Sequence, residues 1–259
     1  METQKDEVFR LPIWKVMLNA FQLVWVMRSD FLKKLSLSYV LIILLESVGK
    51  SIDEESRYLG YTVVLLTPLF YTYFAVICHR LVILGNESVP SFGIRKWTMR
   101  ETRFLGWIIS FWLVLMLFIE SRSVVARLLF PLFGISDVTA FYIPIIITVV
   151  PAMYFLSRLS MILPAAAIGK KPGIKWAWNI SEGNGWGLLM IVGVMPSILI
   201  IMQIYLEKAD TTVVEDIVNS MLAFVVSIIE ISAISLSYKE LSKGKPNSSL
   251  HSGTARLRA

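Results

Sequence analysis

Along much of this chain the apolar positions do not alternate with polar ones at a strand or helix period; they run together. Residues 61–78, YTVVLLTPLFYTYFAVIC, and 187–206, GLLMIVGVMPSILIIMQIYL, contain no charged side chain. A bilayer core about 30 Å thick is crossed by a helix of about 20 apolar residues. Six runs of this kind predict spans over about 31–50, 60–84, 104–121, 141–163, 186–206 and 213–238. The fold class expected is therefore all-α, a polytopic membrane protein with six transmembrane helices over residues 1–242. In the first run Lys33 and Lys34 stand at the start and Glu46 near the end, positions from which long side chains snorkel to the interface. The stretch 121–137 is only moderately apolar and is expected to lie along the surface.

Ahead of the spans the pattern changes. In residues 13–29 the polar positions Lys15, Asn19, Gln22 and Ser29 form one narrow stripe, and Trp14, Met17, Phe21, Val24 and Trp25 fill the rest. Tryptophan beside basic residues suits a helix lying in the headgroup plane. Residues 172–182 begin with Pro172, suited to a first helical turn, and carry Lys175, Trp176 and Trp178. Trp97 holds the same place before the third span. With Lys170 and Lys171, these residues make the lipid-facing, interfacial set.

The two long loops share more than this. Each opens on an Arg-Leu pair, Arg80-Leu81 and Arg158-Leu159. Each continues through a proline and glycine region to Gly-Ile-basic, Gly93-Ile94-Arg95 and Gly173-Ile174-Lys175, and then to a tryptophan and a new span. PIWKVMLNAFQLVWVMRSDFLKKL near the start is a weaker third copy. Three repeats of an amphipathic helix plus a transmembrane hairpin account for this, and internal repeats are common in membrane proteins.

Charge then fixes an orientation. With the first residues inside, 20 basic residues fall on the inner side and five outside, where SIDEES and EKADTTVVED are acidic. The positive-inside rule puts both termini in the cytoplasm. The overall excess, a net +6 with 56% hydrophobic residues and a mean hydropathy of +0.66, then reads as affinity for anionic lipid headgroups; no surface for nucleic acid is expected. The first residues do not read as a signal peptide, and 243–259 read as a disordered basic tail.

The segment IKWAWNISEGNGWGLL poses a choice, because Gly183, Gly185 and Gly187 evoke a phosphate-binding loop. Such a loop needs a strand before it and a soluble helix after it. Here an amphipathic segment precedes and a span follows, so the glycines are expected to be a hinge. This segment, with RLSMILPAAAIGKKPG before it, resembles a signature of bacterial inner-membrane proteins: the YciC-like group and the membrane domain attached to some glycerophosphodiester phosphodiesterases. The match falls on Arg158, Leu163, Pro164, Ala165, Ala177, Trp178, Gly183, Asn184 and Trp186. CHRLVILG at 78–85 is similar to a feature of the same proteins. The resemblance implies a six-helix inner-membrane fold and little about activity; no phosphodiesterase domain accompanies it.

Chemistry is sparse. Glu230 lies in the sixth run, roughly 13 Å before Lys239 at 1.5 Å per residue, and an intramembrane carboxylate calls for a functional account. It shares a face with Asp216, Ser220, Ser227 and Ser237. Two readings stay open: a structural pair with Arg158 or Arg80, and a proton or cation relay. The single cysteine, Cys78, excludes an internal disulfide, and Cys78-His79 lacks the further ligands a zinc site needs. No metal, cofactor or catalytic set is expected. The function expected is that of a non-enzymatic integral membrane protein acting through membrane lipids, a protein partner or a second copy of itself, as scaffold, assembly factor or accessory subunit. The alternative is a small secondary transporter or channel using Glu230.

Overall fold

The computed structural model describes residues 9–50, 57–90, 96–133, 137–198, 201 and 213–244. Among them the chain is mostly helical, with no strand. Helix α1 spans Ile13–Val26, α2 Arg28–Lys50 and α3 Arg57–Leu84, followed by a 3-10 turn at Asn86–Ser88. Then come α4 (Met99–Phe133), α5 (Asp137–Leu159), α6 (Ile162–Ala167), α7 (Ile174–Ile180), α8 (Gly185–Leu189) and α9 (Val213–Gly244). A π-helical turn at Met190–Val194 continues α8.

Four helices are long and apolar enough to cross a membrane: Tyr58–Leu84, Met99–Leu128, Ile143–Ala167 and Val218–Lys243. They coincide with the second, third, fourth and sixth expected spans. The first expected span is helical as α2, but its charges keep it out of this class. The fifth begins as the apolar helix Gly185–Ile198, and of its remainder only residue 201 is described. The tail 243–259 lies outside the described residues beyond Gly244.

The surface stretch expected at 121–137 is different. Helix α4 runs unbroken through it to Phe133, about 52 Å in all at 1.5 Å per residue. No proline or glycine interrupts the sequence between Trp107 and Phe130. Ser121 and Ser123 do not break the helix either, since their hydroxyls donate back to the Phe118 and Glu120 carbonyls at 2.7 and 2.9 Å. At its other end α4 is capped by Thr98, whose N–H donates to Glu101 Oε2 at 2.8 Å and whose hydroxyl donates to the same oxygen, the backward half of a capping box. Arg100 closes on Glu101 Oε1 at 2.5 Å.

Two cores hold the bundle. In one, Val16, Met17 and Ala20 of α1 meet Met161, Ala165, Ile180, Leu188, Ile191 and the Ala233–Leu241 part of α9. In the other, Phe31, Leu35 and Ile42 of α2 meet Phe74, Ile77 and Leu81 of α3 and Phe224 and Ile228 of α9. Helix α3 is thus the shared partner of α2 and α9. Lys34 departs from its expected snorkelling: it is buried, and its ammonium donates to the Val89 carbonyl at 2.6 Å and to the Asn86 carbonyl. Two carbonyls of the turn after α3 thereby gain a donor, which lets a charged lysine sit inside. Lys33 is exposed as expected.

Candidate functional site: a groove between α2 and α9

Because α2 and α9 both lean on α3, a gap remains between them. Its floor is aromatic: Tyr39 lies 5.8 Å from Phe74 and 4.6 Å from Phe224, and Phe74 lies 6.0 Å from Phe224, centroid to centroid. Tyr39 also ties the two walls, its hydroxyl donating to the Ser220 carbonyl at 2.9 Å. The resulting groove has a volume of about 720 Å³. Along α2 it is lined from Arg28 to Ser47, a rise of about 28 Å, nearly the thickness of a bilayer core. Leu32, Val40, Ile43, Met221 and Val225 give it apolar walls. Among the described residues, Arg28 is the one charged side chain that lines it. Its guanidinium donates to the Trp25 carbonyl at 2.9 Å and sits 5.0 Å from the Trp25 ring centroid.

A second groove, about 470 Å³, lies on the opposite flank of α2 between Leu37, Leu41, Leu66, Leu69, Phe70 and Tyr73. Trp97 lines it, and the Trp97 indole N–H donates to Thr102 Oγ1 at 2.9 Å.

Glu230 faces away from the large groove. It borders a cavity of about 20 Å³ between Met17, Ala20 and Phe21 of α1 and Ile191, Met195 and Pro196 beyond α8. Its Oε1 is buried and has no hydrogen-bond partner among the described residues. Neither arginine expected beside it arrives. Arg158 is buried at the end of α5, donating to Ser181 Oγ at 3.0 Å and to the Trp178 carbonyl at 2.6 Å, with its guanidinium 3.6 Å from the Trp178 ring centroid. Arg80 donates to the Ser88 carbonyl at 3.0 Å. Each arginine instead reaches forward from a span end to the segment after its turn. Of the residues expected to share a face with Glu230, Asp216 has no described side chain.

The three glycines divide. Gly183 alone has a positive φ, +75°, and makes the turn expected of a hinge. Gly185 and Gly187 are helical and are there for closeness: a Cβ on Gly185 would sit 2.5 Å from the Tyr154 hydroxyl, and one on Gly187 3.2 Å from Ile13 Cγ1.

The tryptophans divide as well. Trp14 and Trp25 are about three-quarters exposed, while Trp97 and Trp178 are less so. Trp176 turns inward, 6.3 Å from Tyr238, because the short α7 puts Ala177 and Ile180 in the interior and carries Trp176 with them. Lys171 and Lys175 are exposed. Lys170, also exposed, holds its ammonium 5.6 Å from the Tyr238 ring.

Asn184 is the residue whose role the sequence did not disclose. It is buried; its Oδ1 accepts from the Leu11 N–H at 2.6 Å, and its Nδ2 donates to the Phe9 carbonyl at 2.7 Å and to that of Glu182 at 3.1 Å. One side chain thus fastens the segment before α1 onto the loop before α8. The quoted Gly-Asn-Gly marked a turn there, not a clamp across 173 positions. His79 is fully buried and shares a 2.7 Å hydrogen bond with Ser235 Oγ. No group of three or more metal-ligating side chains assembles among the described residues.

Known proteins add nothing to this geometry. No family model, curated protein or solved structure matches the chain. The resemblance to the YciC-like group therefore rests on the quoted residues alone.

Proposed function

We propose that this is a non-enzymatic protein of the bacterial inner membrane, with both termini cytoplasmic, that works by holding lipid between its helices and so serves as a scaffold or accessory subunit. The observation that carries this is the 720 Å³ groove, apolar along its walls and lined at one end by Arg28, whose guanidinium sits 5.0 Å from the Trp25 ring. An apolar groove on a membrane helix is filled by acyl chains, and a tryptophan beside an arginine belongs at headgroup depth. The reading includes the fuller span count, with α2 and the region from Gly185 onward crossing beside the four long helices. It includes the threefold repeat too. In its favour, α2–α3 and α4–α5 are both tightly paired hairpins, and Arg80 and Arg158 make the same forward reach in two copies. Among the described residues the middle copy has no separate amphipathic helix: residues 96–98 are not helical, and 91–95 lie outside.

Purification in mild detergent followed by mass spectrometry tests the function. About one lipid per chain is expected to survive delipidating washes. A lipid-free chain accompanied by a stoichiometric protein would replace this reading with that of an accessory subunit acting through protein contacts. Orientation has its own test. Single cysteines at 55, 137 and 210 are expected to label from outside and those at 96 and 171 not; the native Cys78 is fully buried, so it stays silent. Outside labelling at 96 inverts the topology.

A second reading, a small transporter or channel, is favoured by one observation, the Glu230 Oε1 buried without a partner among the described residues. It expects Glu230→Gln to fold normally and to lose a pH-dependent solute phenotype in cells.

A further inference from the structure

We infer that the groove between α2 and α9 selects one anionic phospholipid, with Arg28 as the residue that reads the headgroup charge; this rests on the lipid-holding reading above. The groove separates two chemistries along its length. Leu32, Val40, Met221 and Val225 offer only hydrocarbon contacts, suited to an acyl chain. At the α1–α2 turn the lining ends in a guanidinium. Of the five N–H donors an arginine carries, Arg28 uses one on the Trp25 carbonyl. That bond and the Trp25 ring orient the planar group, and the remaining donors match a phosphate oxygen pair better than an ammonium would.

Its charge is not already spent. Asp30, the nearest carboxylate along the chain, accepts a hydrogen bond from Asn86 Nδ2 at 3.0 Å, and no ion pair forms at Arg28 among the described residues. Both Arg28 and Trp25 are exposed, so a headgroup arriving from the bilayer meets them without displacing protein. A zwitterionic headgroup carries a phosphate too, but its ammonium opposes the guanidinium. Selection therefore follows net headgroup charge.

The experiment is a native mass-spectrometric competition on the full chain in micelles doped equally with phosphatidylglycerol and phosphatidylcholine of identical acyl chains. The wild-type chain is expected to retain one phosphatidylglycerol in about fivefold preference, the equivalent of about 1 kcal/mol for one basic side chain at the membrane surface. Arg28→Gln is expected to bind either lipid equally, Arg28→Lys to keep most of the preference, and Lys171→Gln, which does not line the groove, to keep all of it. Val225→Trp, which fills the groove, is expected to lose bound lipid of both kinds; thermal melts of each variant confirm folding. Retention of neither lipid by the folded wild-type chain overturns the lipid-holding reading itself. Equal retention of the two by the wild type, or a preference that survives Arg28→Gln, overturns the charge selection alone.

Discussion

Two regions of the bundle are built differently. At one end α1, α6 and α7 cap the long helices, and there several buried polar groups have a named partner: Arg158 on Ser181 and Trp178, Asn184 on Phe9 and Leu11, Lys34 on Asn86 and Val89, His79 on Ser235; the Glu230 Oε1 and the Tyr238 hydroxyl are buried without one among the described residues. Away from it, the described lengths of the spans are covered very unequally. Only 6% of the apolar window of Met99–Leu128 is buried, against 44% for Ile143–Ala167, and Trp112 and Leu117 of α4 stand exposed. In water such a surface would aggregate, whereas in hydrocarbon it needs no cover. The capped end therefore has to be specified side chain by side chain, because polar atoms there lose water. The exposed faces need only to be apolar.

Substitutions on either side sharpen this contrast. The largest effect is expected from Arg158→Ala, which removes two charge-assisted hydrogen bonds and a cation–π contact; a loss of about 3–4 kcal/mol should appear in thermal unfolding in detergent. Asn184→Ala comes next, at about 2–3 kcal/mol, since it leaves the Leu11 N–H buried without an acceptor. That variant should also release residues 9–12 to limited proteolysis before the bundle melts, and a uniform melt without early cleavage would refute the clamp. Gly185→Ala drives a methyl into the Tyr154 ring, which is itself held 5.1 Å from Trp186, and should destabilise by about 1–3 kcal/mol.

Glu230 tests the capped end from the other direction. Its Oε1 has no partner among the described residues, so Glu230→Gln should hold or raise stability by up to about 1 kcal/mol. A marked fall would mean that an arginine reaches it after all. Smallest are the changes on the exposed face of α4: Leu117→Ala should stay within about 0.5 kcal/mol, and Gly106→Ala, with nothing within 4 Å of the added Cβ, should gain about 0.5–1 kcal/mol from helix propensity. A large loss at either would mean that the face is covered by protein in the membrane.

How much of this is legible in the sequence depends on range. The spans are legible because hydrocarbon burial is a property of one helix and its composition; four of the six expected runs meet the length and hydropathy of a crossing helix. The groove was not legible. Its walls, α2 and α9, are joined through Tyr39 and Ser220, 181 positions apart, and an exposed leucine on a span reads the same whether it faces a neighbouring helix, a lipid in a cleft or open bilayer. Glu230 was visible as a charge in the wrong solvent, but its supposed partners were chosen by depth. Depth along a helix does not say on which side of it a neighbour stands.

By itself, then, the sequence determined that this chain is helical, apolar in long runs and basic in the loops assigned to the inner side, because hydropathy and the periodic spacing of charge act locally along each segment. Only the tertiary structure decided that Lys34 goes inside, that Gly183 turns while Gly185 and Gly187 permit close contact, that Trp176 faces Tyr238, and that Asn184 clamps the segment before α1. Each of those outcomes depends on which backbone carbonyl or ring lies within hydrogen-bond or van der Waals reach. That distance is set by how whole helices lean on one another.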